Sequence, residues 1–160
     1  VCPSASEKHG ARALSLAEVH QLKEDFIQAA LRAQKSGYDG VEVHGAHGYI
    51  LTQFLSSKIN KRSDSYGGNL ENRARLLFEI VDGIREACGK NFLLGVRLSP
   101  ERFGMKLQEI KQLCQRFIDE DTVDFLDLSL WDVFKLPEEE DHQHQSLLNH
   151  FTELNFKNIR

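Results

Sequence analysis

Cysteine is scarce in this chain. Three residues among 160, Cys2, Cys88 and Cys114, are odd in number, far apart and without a CxxC pair. That excludes a disulfide framework, speaks against a zinc finger, and suits free thiols in a reducing, cytoplasmic compartment. Positive charge is scarce too: 20 Lys and Arg stand against 24 Asp and Glu, a net charge of −4. No basic patch marks a nucleic-acid footprint. The one single-sign run, Glu138-Glu139-Glu140-Asp141, reads as a solvated loop. No apolar stretch approaches the roughly 20 residues of a membrane span. Val1-Cys2-Pro3-Ser4 has neither the basic region nor the apolar core of a signal peptide. Nucleic acid and membrane are therefore not expected partners, and composition leaves the oligomeric state open.

What remains is ordinary globular material, 41% hydrophobic and 28% charged, enough for a single domain over residues 1–160 with a sizeable core. Ser15 with Glu18 forms a capping box. Leu16, Val19, Leu22, Phe26, Ile27 and Ala30 then recur at helical spacing until Gly37 stops the helix. Val41 to His44 is a short β-branched strand. A loop follows to Gly68, with one or two helical turns expected around Ile50 to Leu55. Asn69 or Ser65 can cap the next helix, which Gly89 ends. Residues 92–98 form a nearly continuous apolar strand, as a strand covered on both faces should. Leu107 to Ile118 is a third helix and residues 123–130 a third strand. A last helix is expected around Leu147 to Phe156, and Asn158-Ile159-Arg160 looks like the start of a further strand.

Strand–helix alternation implies parallel strands joined by right-handed crossovers. Three strands cannot close a barrel, and a (β/α)8 barrel usually needs about 250 residues. The chain is therefore a small open α/β domain or a piece of a barrel. Because it opens before a helix and stops as a strand begins, the expectation is the central portion of a (β/α)8 TIM barrel, incomplete in this chain.

Chemistry concentrates at Tyr38-Asp39-Gly40-Val41-Glu42-Val43-His44-Gly45-Ala46-His47-Gly48-Tyr49, where a short strand ends in proton-handling side chains. The carboxyl end of a strand is where α/β folds bind ligands. Two neutral imidazoles, His44 and His47, can each donate a hydrogen bond to one oxygen, polarising a carbonyl or nitro group. Alternatively they are structural, or a metal pair; no third ligand stands near in sequence, and a catalytic zinc normally needs three. Tyr49 can donate a proton to a nascent carbanion within reach, or pack at the loop base. Arg97 interrupts an apolar strand and needs a partner, which Glu42 or Asp127 could be. Arg62, Asp64, Asn72, Arg73 and Arg75 surround the Gly67-Gly68 turn and read as loop-shaping. Tyr66 reads as turn structure, and His142 and His144 as solvated. Trp131 ends the third strand at the mouth side, placed either to line the rim or to pack.

His44-Gly45-Ala46-His47-Gly48-Tyr49, Gln53-Phe54-Leu55, the run from Asn60 to Arg75 and Gly95-Val96-Arg97-Leu98-Ser99-Pro100 together resemble the Old Yellow Enzyme family of FMN-dependent NAD(P)H oxidoreductases. The likeness runs from Pro3 to Trp131-Asp132 and weakens in the last third. It implies a barrel with FMN across its mouth and NAD(P)H as reductant, acting on a small-molecule substrate such as an enone or nitroalkene. By the same likeness, His44 and His47 bind the substrate's electron-withdrawing group and Tyr49 supplies the proton. Arg97 faces the flavin N1/C2=O edge, favouring the anionic reduced form. Relatives with an iron–sulfur cluster usually replace the histidine pair, and the cysteines here offer no cluster spacing, so no metal is expected. The likeness also places flavin contacts before Val1 and the phosphate-binding loops beyond Arg160, and the loop from Ser99 to Met105 is shorter than usual. Two rivals follow: a truncated, non-catalytic barrel fragment that does not retain flavin, and a metal-dependent barrel hydrolase.

Overall fold

The computed structural model describes residues 1–156. Ser15 opens helix α1 (Leu16–Lys35) with a complete capping box: its hydroxyl accepts from the Glu18 N–H, and the Glu18 carboxylate accepts from the Ser15 N–H. Strand β1 (Gly40–Gly45) follows, then the short helix α2 (Ile50–Leu55) and helix α3 (Leu70–Cys88), capped by Asn69. Strand β2 (Leu93–Leu98), helix α4 (Leu107–Glu120), strand β3 (Phe125–Leu128) and a single turn, α5 (Asn149–Thr152), complete the described residues.

The three strands lie in the order β1-β2-β3, all parallel. The chain is an α/β fold, a partial (β/α)8 barrel whose sheet is not closed. Alternation along the strands separates two faces. Val43, Leu94, Val96 and Leu98 are buried with Leu76, Leu77, Ile80, Val81, Ile110, Leu113 and Phe117 of α3 and α4. Each such side chain removed from water contributes on the order of 2 kcal/mol, so this face carries the stability. The opposite face holds two cross-strand rows, Glu42–Gly95–Phe125 and His44–Arg97–Asp127. Gly95 is needed there because a Cβ would lie 2.2 Å from the Phe125 ring.

Two expectations need correction. The third strand is shorter than residues 123–130: its regular pairing with β2 covers Phe125–Leu128, and just outside it single bonds remain from the Asp124 N–H to the Leu94 carbonyl and from the Ser129 N–H to the Leu98 carbonyl. The last helix is one turn, not ten residues, because the preceding loop folds back on itself. There the Leu147 N–H donates to the Lys135 carbonyl and the buried His150 ring reaches the His142 carbonyl. Tyr66 lies in a turn, as expected, and is also buried with its hydroxyl donating to Glu79. The strand expected from Asn158 lies outside the described residues.

Candidate active site

Strand β1 delivers His44 onto the open face and ends at Gly45, whose missing Cβ leaves room for the Arg97 carbonyl. The chain then turns sharply: His47 takes φ 62° and Gly48 φ 77°. A side chain in the left-handed region is costly. His47 is held there by its own N–H, which donates to the Ser99 hydroxyl at 3.0 Å. Below the turn, the Thr52 hydroxyl donates to the Gly45 carbonyl and the Gln53 amide to the Gly48 carbonyl, fixing the loop on α2.

This turn gathers the expected cluster. The His44 and His47 rings lie 5.0 Å apart, and the Tyr49 ring lies 5.4 Å from His44. Tyr49 sits at the amino-terminal cap of α2 and is 62% exposed, so its phenol projects from the mouth and does not pack at the loop base. The His47 Nε2 is 2.5 Å from the Ser129 hydroxyl. Burial, reinforced by His47 and Arg97 and opposed by Asp127, holds the His44 imidazole below its ordinary pKa. The shift favours the neutral ring, which still has one N–H to donate to a carbonyl oxygen.

Arg97 takes its place in the row between His44 and Asp127. Its Nε lies 3.1 Å from Asp127 Oδ2 without hydrogen-bond alignment, and its Nη2 makes only a long 3.5 Å contact with Ser129. Of the two carboxylates expected as partners, Asp127 is the one paired. Glu42 is not; burial first, and then Asp127, raises its pKa, while Arg97 opposes. A guanidinium has five donors, and this one spends few of them on the protein. Such a half-satisfied cation on the open face keeps donors free for an electron-rich ligand group.

A cleft of about 710 Å³ opens beside these groups, lined by His47, Arg97, Phe103, Ser129 and Trp131 among others. Ser129, Ser99 and Phe103 were missed from sequence. Ser129 was findable, since it follows β3 at the same carboxyl-end level as His44 and Arg97. Among the described residues no group of three or more His, Cys, Asp or Glu side chains converges as a metal site, so the histidine pair has no third ligand there. The loop-shaping residues act as expected: Arg62 pairs with Asp64 and donates to the Pro3 and Leu14 carbonyls, and Arg73 pairs with Glu109. His144 is exposed, whereas His142 is half-buried against His150.

Residues 2–159 match the model of the NADH:flavin oxidoreductase / NADH oxidase family. The chain belongs to that family. These flavoenzymes, the Old Yellow Enzyme family, use FMN and NAD(P)H. Over 89 residues, 56% of this chain, it is 46% identical to 12-oxophytodienoate reductase 2 of Arabidopsis thaliana, covering 24% of that protein. Over 107 residues, 65% of this chain, it is 40% identical to an NADH oxidase of Thermoanaerobacter brockii, covering 16% of it. Over 127 residues, 76% of this chain, it is 39% identical to a Leishmania infantum protein named "Probable flavin mononucleotide-dependent alkene reductase", covering 34% of it. The chain thus spans about a third or less of these curated relatives. No helix among the described residues is long and apolar enough to cross a membrane.

Proposed function

We propose that the mouth of this Old Yellow Enzyme segment is the substrate-polarising and proton-donating part of an FMN-dependent NAD(P)H oxidoreductase that reduces activated C=C bonds of enones or nitroalkenes. The observation that carries this reading is the cluster of His44 with the His47 ring 5.0 Å away and the exposed Tyr49 ring 5.4 Å away. His44 and His47 hold the carbonyl or nitro oxygen and stabilise the negative charge that grows on it. FMN, which Arg97 would help to hold, would supply the hydride for the alkene carbon remote from that group. Tyr49 delivers a proton to the adjacent carbon, so the C=C bond gains one hydride and one proton and the charge on the oxygen collapses. Arg97 offers its unspent donors to the flavin edge. In FMN-loaded protein, replacing both histidines by alanine is expected to weaken ketone binding and enone turnover together, because they touch the oxygen in ground and transition states alike. Unchanged binding in the double variant would contradict the assignment.

The open sheet favours a second reading for the isolated chain. β1 and β3 are each paired on one side only among the described residues, so the cleft has a wall on one side. A chain purified without flavin colour would support this reading, in which the segment folds and keeps its oxygen grip but does not retain FMN.

A further inference from the structure

Five non-glycine residues among those described have positive φ; three of them, His47, Phe103 and Trp131, line one cleft, and a fourth, Arg102, lies against Trp131. The fifth, Asp121, is a helix cap. Strain of this kind persists where the surrounding structure over-determines it, and it clusters at ligand sites. Trp131 is the extreme case. It is the chain's only tryptophan, it takes φ 65°, and it is 70% exposed, so core packing does not explain its position. Its indole nevertheless has two partners. The ring stands edge-on to His47 with centroids 6.3 Å apart, and the Arg102 guanidinium lies 5.0 Å from its centre. Arg102 is itself held by Glu138 at 3.2 Å, and Glu138 and Lys135 are tied back to the buried Glu101. Two loops, one after β2 and one after β3, thus cooperate to hold a large apolar ring in solvent beside an imidazole.

We infer that Trp131 is the specificity-determining wall of the cleft: it selects ligands that carry a flat aromatic or conjugated group next to the oxygen held by His47. This inference rests on the reading of the histidine pair as an oxygen grip. Its physical basis is that ring–ring pairs gain free energy beyond the area they bury, whereas a saturated ring of equal size gains only the area. A rigid, pre-placed indole also loses little side-chain entropy on binding.

The test compares acetophenone with cyclohexyl methyl ketone, which share the carbonyl and the ring size and differ in aromaticity. Each is titrated into the chain by NMR, following the imidazole resonances of His44 and His47 and the single indole N–H. Acetophenone is expected to bind about two- to ten-fold more tightly and to shift the indole signal. Trp131→Leu should bring the two dissociation constants together while leaving that of the cyclohexyl ketone within about two-fold. Arg102→Gln should reduce the preference part-way, by freeing the indole. If both ketones move the histidine signals with equal affinity, or if the preference survives in Trp131→Leu, the wall is wrong and the oxygen grip stands. If neither ketone moves the histidine signals, the oxygen grip fails and this inference with it.

Discussion

Arg73 and Arg97 stand for two regions built from the same residue type to opposite ends. Arg73, in the loop-shaping region, is 4% exposed. It spends its donors on the Gly68 and Leu55 carbonyls and, in a two-pronged pair, on Glu109. Arg97, at the mouth, is 34% exposed, paired with Asp127 alone and in long contact with Ser129. A saturated buried guanidinium ties chain segments together and has nothing left for a ligand. A half-satisfied one on an open sheet face holds donors in reserve. Partner saturation, more than burial alone, separates the two arginines.

The largest expected difference lies in stability. Arg73→Met leaves Glu109 and two carbonyls without their partner, and breaking a buried pair in this way costs about 3–5 kcal/mol. Arg97→Met removes an ion pair open to solvent, for which about 1 kcal/mol or less is expected. Urea unfolding of both variants reads the contrast directly; equal costs would break it. In FMN-loaded protein Arg97→Met should lower the flavin reduction potential, because the positive charge favours the anionic reduced form most. A raised or unchanged potential would assign Arg97 to Asp127 alone.

The smallest effect belongs to the start of α1. The Arg12 guanidinium and the Ser15 N–H hold the exposed Glu18 carboxyl at about 2, against an ordinary 4.5. A carboxyl depressed in the fold adds stability above its unfolded value and loses it as pH falls through the folded one. The stability gap between the native chain and Glu18→Gln should therefore be full above about 4.5 and close as pH falls toward about 2. Salt should shrink it. A gap that stays constant across that interval would remove the capping carboxylate from the account.

Much of this was legible in the sequence because it is local. The Ser15–Glu18 capping box, the Asn69 cap and the strand ending at His44-Gly45 each depend on residues a few positions apart, and all three are present. His44, His47, Tyr49 and Arg97 could be placed at one mouth because parallel strands bring their carboxyl ends to the same side. What resisted reading is long-range. The grip of Ser129 on His47 joins residues 82 positions apart, and the stacking of Arg102 on Trp131 depends on left-handed backbone at both, at residues with no intrinsic preference for it. The last helix failed for a related reason. Its apolar residues at Leu147 and Phe151 follow helical spacing, but loop contacts to Lys135 and His142 take over the backbone and leave one turn.

The central claim is that the mouth cluster performs chemistry whereas the arginine-rich loop performs architecture, and Tyr49 tests it most directly. Stopped-flow measurement of both half-reactions in FMN-loaded Tyr49→Phe protein separates a proton donor from a packing residue. Flavin reduction by NAD(P)H needs no proton from the phenol and should run at nearly its normal rate. Enone reduction should slow by about 10²–10⁴-fold, the usual cost of losing a positioned acid. If both half-reactions slow by the same factor, or neither changes, Tyr49 is not the donor and the account of the mouth is wrong.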